Sequence, residues 1–178
     1  MAAKKITIIF VCLGLIILAG LLVSTFLKDK KQTEQPEESK LLSPQSAAQI
    51  ALEKAKLWHA DATLANSKST ATKTDEFGYA DDWEFMFVSE SAKNKGYRIL
   101  MTNRNIIESK EVPYTGKGGE LPQNIISSQE AIEQMHRIKG YENEAVISVE
   151  LLAGSDGKTW YWGIKTSKGT TTIVANKN

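Results

Sequence analysis

The chain has 178 residues, 24% of them charged, and a formal net charge of +1 from 22 Lys and Arg against 21 Asp and Glu. That near balance excludes the basic field a nucleic-acid binder needs, so no nucleic acid is expected as a partner. One cysteine excludes an intramolecular disulfide framework and a thiol metal site, and two histidines leave little for a histidine-based centre.

Met1 to Lys5 is a short basic segment. From Ile6 to Leu27 the chain is uncharged and apolar. At about 1.5 Å rise per residue a helix over that run reaches roughly 33 Å, enough to cross a hydrocarbon core of about 30 Å. The run is read as a single transmembrane helix over residues 6–27, kept as an anchor. A cleaved signal peptide or a buried core helix needs a shorter run, and Ile17-Leu18-Ala19 and Val23-Ser24-Thr25 match a cleavage site poorly. Cys12 lies inside the run, behind Val11, where a lipidated cysteine wants a small residue. The basic far flank, Lys28-Asp29-Lys30-Lys31, balances Lys4 and Lys5, so flanking charge does not set the orientation. The form of a signal anchor, one span with a large domain after it, places residues 1–5 in the cytoplasm and the rest outside. Residues 28–42 read as a polar linker, with nothing aromatic or aliphatic between Asp29 and Lys40.

Beyond the linker a helix–strand pattern occurs twice. Ser43 is the expected N-cap of a first helix, with Pro44 at the first helical position and Leu42 beside Ala47 as a weak staple. This helix is expected to run to about His59 with Ala47, Ile50, Ala51, Ala55, Leu57 and Trp58 on its apolar side. Ala62 to Thr74, rich in Ala, Ser and Thr, reads as an irregular strand or a loop. Trp83, Phe85 and Phe87 alternate, and after a turn over Glu90 to Gly96 so do Tyr97, Ile99 and Met101. Val112-Pro113-Tyr114 and Lys117-Gly118-Gly119-Glu120 mark a linker over residues 113–126. Ser127 and Glu130 are spaced as a capping box that opens a second helix, carrying Ala131, Ile132, Met135 and Ile138 and stopping at Gly140. Strands follow with Ile147, Val149 and Leu151 on one side, a turn over Gly154 to Gly157, and Trp160, Trp162 and Ile164. Thr170 to Ala175 closes the pattern and is expected to be an open edge. The fold class is therefore α+β: a transmembrane helix, then two small helix-plus-antiparallel-sheet units over residues 43–112 and 127–178.

The helix, the strand ending at Asp156-Gly157, the W-x-W strand from Trp160 to Ile164 and the final strand resemble a PepSY domain, an extracytoplasmic module of bacterial membrane proteins and protease propeptides. The whole plan, one span and two tandem units, is similar to the membrane-anchored cell-wall elongation regulators of Gram-positive bacteria. The resemblance implies a cystatin-like fold and docking to, or inhibition of, an envelope peptidase or cell-wall synthase. It supplies no catalytic residues to carry over.

The residues themselves assign no catalytic, cofactor-binding or metal site. His59 and His136 lack a partner at ligand spacing and read as surface or boundary histidines. Asp75, Glu76, Asp81 and Asp82 lack the regular spacing of a calcium loop and read as a solvated turn. No G-x-S-x-G or S-x-x-K signature occurs, and Lys117 to Glu120 has too few glycines in register for a phosphate loop. Trp83, Phe85, Trp160 and Trp162 read as core, whereas Tyr161 points the other way and is free to anchor a partner or stack on a sugar. The expectation is a non-enzymatic, membrane-attached binding or regulatory protein without a cofactor, whose partners are the membrane and an envelope protein. The alternative is a structural envelope protein acting as a tethered spacer.

Overall fold

The computed structural model describes residues 41–70, 74–121 and 123–177. The expected membrane-spanning segment, 6–27, and most of the linker after it lie outside these residues. Among the described residues no helix is long and apolar enough to cross a membrane.

Helix α1 spans Pro44–Trp58. Ser43 caps it, its hydroxyl accepting the Ser46 N–H at 3.2 Å, and Pro44 occupies the first turn, where a missing N–H is harmless. Its buried face is Ala47, Ala48, Ala51 and Ala55, small side chains that let the helix axis come close to the sheet, while Leu57 is 81% exposed. Strands β1 (Thr63–Ser69), β2 (Asp82–Val88), β3 (Lys95–Thr102) and β4 (Asn105–Pro113) follow, then helix α2 (Ser128–His136) and strands β5 (Ser148–Ala153), β6 (Trp160–Thr166) and β7 (Gly169–Val174). The capping box of α2 is present on both sides: the Ser127 hydroxyl accepts from the Glu130 N–H at 3.1 Å and the Glu130 carboxylate from the Ser127 N–H at 2.7 Å. The helix ends at His136, before Gly140, which adopts φ +94° in the turns that follow.

The two-unit arrangement is corrected by the strand order. All seven strands form one antiparallel sheet, β4-β3-β2-β1-β5-β6-β7, and β1 joins its halves by pairing with β2 on one side and β5 on the other. The stretch read as irregular strand or loop is thus the central strand. One contiguous core covers one face of that sheet, with Trp83, Phe85, Phe87, Ile99, Leu151, Trp160, Trp162 and Ile164 beneath both helices. Both helices cover this face, and the core beneath them is continuous across the two halves of the sheet.

Two strands departed from the sequence pattern for physical reasons. β1 presents Leu64 to the core but then Ser67 and Ser69 in place of further large apolar groups, and the register shift between Leu64 and Asn66 leaves Ala65 as an extra residue. β4 carries Glu108, Lys110 and Glu111, as expected of an edge strand that buries little, so it shows no apolar alternation by which to mark it. The turn before it uses positive φ at Asn103 (49°) and Arg104 (68°), which suits a two-residue hairpin.

Candidate functional site

With α1 and α2 on one face, no helix among the described residues covers the opposite face of the sheet, the open face, and its residues follow from the register. One row crosses it as Lys110, Arg98, Met86, Asn66, Leu152, Tyr161 and Val174. The next is Glu108, Leu100, Glu84, Lys68, Glu150, Gly163 and Thr172. The face therefore divides. From β4 to β5 it carries charge: Arg98 pairs with Glu84 at 2.7 Å and Glu108 at 3.7 Å, and Lys110 with Glu108 at 2.6 Å. The Glu84 carboxylate beside Arg98 raises the guanidinium's pKa further, and the Lys110 ammonium lowers that of Glu108. Glu150, half-buried at the end of this ladder, has its carboxyl pKa raised by burial, against the pull of Lys68. Beyond Glu150 the face is mostly neutral, with Leu152, Tyr161, Gly163, Thr172 and Val174, and Lys165 as the exception. Val174 is 53% exposed.

This neutral half runs into the β7 edge. The Ala175 N–H donates to the Trp160 carbonyl at 2.8 Å. Bonded residues alternate in an antiparallel ladder, so Thr171 and Ile173 also turn their backbone groups to β6, and Thr170, Thr172 and Val174 turn theirs outward. Further on, the segment before α2 lies against the same edge: the Ile126 N–H donates to Ala175 at 2.8 Å and the Lys177 N–H to Asn124 at 3.2 Å. The two sheet edges differ. β4 carries three charged side chains, ends in Pro113 and has a register irregularity opposite Leu100 and Met101, all devices that discourage edge pairing. β7, Gly-Thr-Thr-Thr-Ile-Val, has none of these.

On the helix side, a groove of about 1000 Å³ opens between α1 and the connecting segment, lined among others by Gln49, Leu52, Lys56, Leu64, Phe87 and Leu121. The expected linker is fixed in place here. Gly119 donates to the Leu64 carbonyl at 2.9 Å, and a Cβ on Gly119 would collide with the Gly157 carbonyl oxygen. The glycines of Lys117 to Glu120 thus permit a close backbone crossing, a role the sequence pattern shares with any turn.

The other residues singled out by sequence are structural. Asp75 Oδ1 accepts from the N–H groups of Phe77 (3.0 Å) and Tyr79 (2.7 Å), which closes its loop. His136 Nε2 lies 3.0 Å from the Glu144 carbonyl oxygen, and His59 caps α1 and packs edge-on against Trp58. Asp61, unremarked in the sequence, receives the Ser89 hydroxyl at 2.7 Å and the N–H and hydroxyl of Ser91 at 3.2 Å each. These bonds, the Ser89 hydroxyl first, lower its pKa and make it a weak base. Among the described residues no three His, Cys, Asp or Glu side chains converge on one point.

No protein-family model matches the chain. No curated protein matches it either. Among solved structures, the crystal structure of a "putative lipoprotein" from Clostridium difficile 630 is similar, with a TM-score of 0.54 over 79% of this chain and 91% of that one at 16% identity. At that identity the likeness is one of fold. The PepSY-like resemblance rests on the short sequence motifs alone.

Proposed function

We propose that the protein is an extracytoplasmic, membrane-attached binding protein that modulates an envelope peptidase or cell-wall enzyme and catalyses nothing itself. The observation that carries this reading is the contrast between the two edges. A free strand of six residues, five of them β-favouring, without charge or proline is a pairing hazard, and such an edge persists where pairing is its use. The fold likeness to a protein named as a lipoprotein is consistent with an envelope setting, and the apolar run at 6–27 supplies attachment to the membrane. Strand addition at β7 would leave both helices and the core undisturbed.

The test is site-specific photocrosslinking in intact cells, with the crosslinker placed at Val174 on one edge or at Lys110 on the other. The expected outcome is one dominant adduct from Val174, identified by mass spectrometry as a peptidase or wall synthase, and none of that identity from Lys110. Equal, diffuse adducts from both positions would favour a tethered spacer. Protease added to intact spheroplasts is expected to remove the folded domain; protection until lysis would refute the extracytoplasmic orientation.

A further inference from the structure

We infer that the β7 edge takes an extended segment of a partner protein, running antiparallel to β7 and patterned apolar, any residue, β-branched, any residue, acidic. This deepens the binding reading above and rests on it.

The chain itself shows that the edge accepts a strand. Asn124 to Ile126 already lies antiparallel against Ala175 to Lys177 with two backbone bonds. That addition stops because Ser127 turns into α2, so among the described residues no strand lies beside the outward backbone groups of Thr170, Thr172 and Val174. Each outward residue offers one donor and one acceptor, so an extended backbone over about 20 Å fits the length of β7.

The flanking side chains set the pattern. On the open face a docked strand would put one residue beside Val174, with Tyr161 next in the row; both neighbours are apolar, so the new residue is apolar. The residue beside Thr172 faces a β-branched neighbour with the small Gly163 behind it, and a β-branched side chain packs best there. The residue beside Thr170 has Lys165 as the next member of its row. Lys165 is exposed and has no acidic partner among the described residues, whereas Lys95, Lys110, Lys168 and Lys177 each face a carboxylate. A long acidic side chain reaches across Thr170 to Lys165, about two strand spacings away, which supplies the complementary charge. An antiparallel strand meets these three neighbours in the order Val174, Thr172, Thr170.

The test titrates the full chain in detergent micelles with two fluorescent peptides, read by polarisation. One has the sequence Leu-Thr-Val-Thr-Glu with blocked ends; in the other Lys replaces Glu. The Glu peptide is expected to bind about two- to fivefold tighter, the range for an exposed ion pair. Lys165→Glu is expected to reverse that preference, and this variant alters no buried group, so it keeps the test valid if Thr172→Pro fails to fold. A folded Thr172→Pro is expected to bind neither peptide, since proline removes the outward donor. Equal binding of both peptides by wild type and Lys165→Glu overturns the inference while a Val174 crosslink to a wall enzyme would still support the binding function. Concentration-dependent dimers in sedimentation, abolished by Thr172→Pro, would show that a second copy occupies the edge and would also overturn it.

Discussion

Ser67 and Ser69 stand two residues apart on the core side of the central strand, both essentially inaccessible, and their replacement by alanine is expected to change stability in opposite directions. The Ser67 hydroxyl has no hydrogen-bond partner among the described residues. Burying an unmade hydroxyl costs about 1 to 3 kcal/mol, so Ser67→Ala should be neutral to about 1 kcal/mol stabilising, after a small loss of packing. Ser69 stands where the β1–β5 ladder has run out of backbone pairs. Its hydroxyl donates to the Val149 carbonyl at 3.3 Å and accepts the Val149 N–H at 3.1 Å, replacing a rung of the sheet. Ser69→Ala strands a buried donor and a buried acceptor at the junction of the two halves, a loss of about 2 to 3 kcal/mol. Urea titration of both variants, followed by tryptophan fluorescence, gives the difference as a shift in midpoint at constant slope. Trp83, Trp160 and Trp162 are all buried, so the signal reports both halves. A loss above about 1 kcal/mol for Ser67→Ala, or the same sign for both variants, would refute the assignment of which serine closes the sheet.

Trp160, 1% exposed beneath the second half of the core, should cost about 3 to 5 kcal/mol when cut to alanine, and a loss below about 1 kcal/mol in the same titration would mean the strand faces water. Gly119→Ala should destabilise by about 1 to 3 kcal/mol because its Cβ meets the Gly157 backbone, whereas Gly163→Ala, whose Cβ would lie 3.7 Å from Leu152, should stay within about 0.5 kcal/mol; equal effects would refute the crossing. Asp156 accepts the Thr159 hydroxyl at 2.6 Å and the N–H groups of Thr159 and Lys158 at 2.8 Å each, which hold its pKa down at about 2 against 3.8. A depressed folded value gives stability that is present above pH 3.8 and lost as pH falls through about 2, so the melting temperature of wild type should drop more steeply across that window than that of Asp156→Ala. Parallel profiles would show that the turn does not depend on the ionised carboxylate.

Local signals in the sequence located most elements because their causes are local. The Ser43 cap, the Ser127–Glu130 box and the alternation in Trp83-x-Phe85-x-Phe87 and Trp160-x-Trp162-x-Ile164 each act within a few residues, and each stands where it was read. The continuity of the sheet was not legible, because it depends on β1 pairing with β5 more than 80 residues away, through three backbone partners and one serine hydroxyl. A helix–strand repeat with two similar N-caps suggests two cores; nothing in the repeat itself says that one strand serves both. The open edge was legible only in part. The threonine-rich last strand reads as exposed, but its contrast with β4 appears only once β4 is seen to be a strand and the other edge.

Solvation alone asks the same of every strand on an open face, yet the two halves answer differently. Strands β1 to β4 put Lys68, Glu84, Arg98, Glu108 and Lys110 there, whereas β6 and β7 contribute Tyr161, Gly163, Thr172 and Val174, with Lys165 as the exception. The bare β7 segment, β-branched from Thr170 to Val174, has the composition of a strand that stacks without limit. Features at its ends work against that. Asn124 to Ile126 occupies one end of the edge, and at the other Lys168 is held by Glu144 and the Gly140 carbonyl, which brings a charge to the turn before the strand. With one end occupied and a charge at the turn before the other, the edge between them, from Thr170 to Val174, has the length of a short strand, which is what the proposed docking needs.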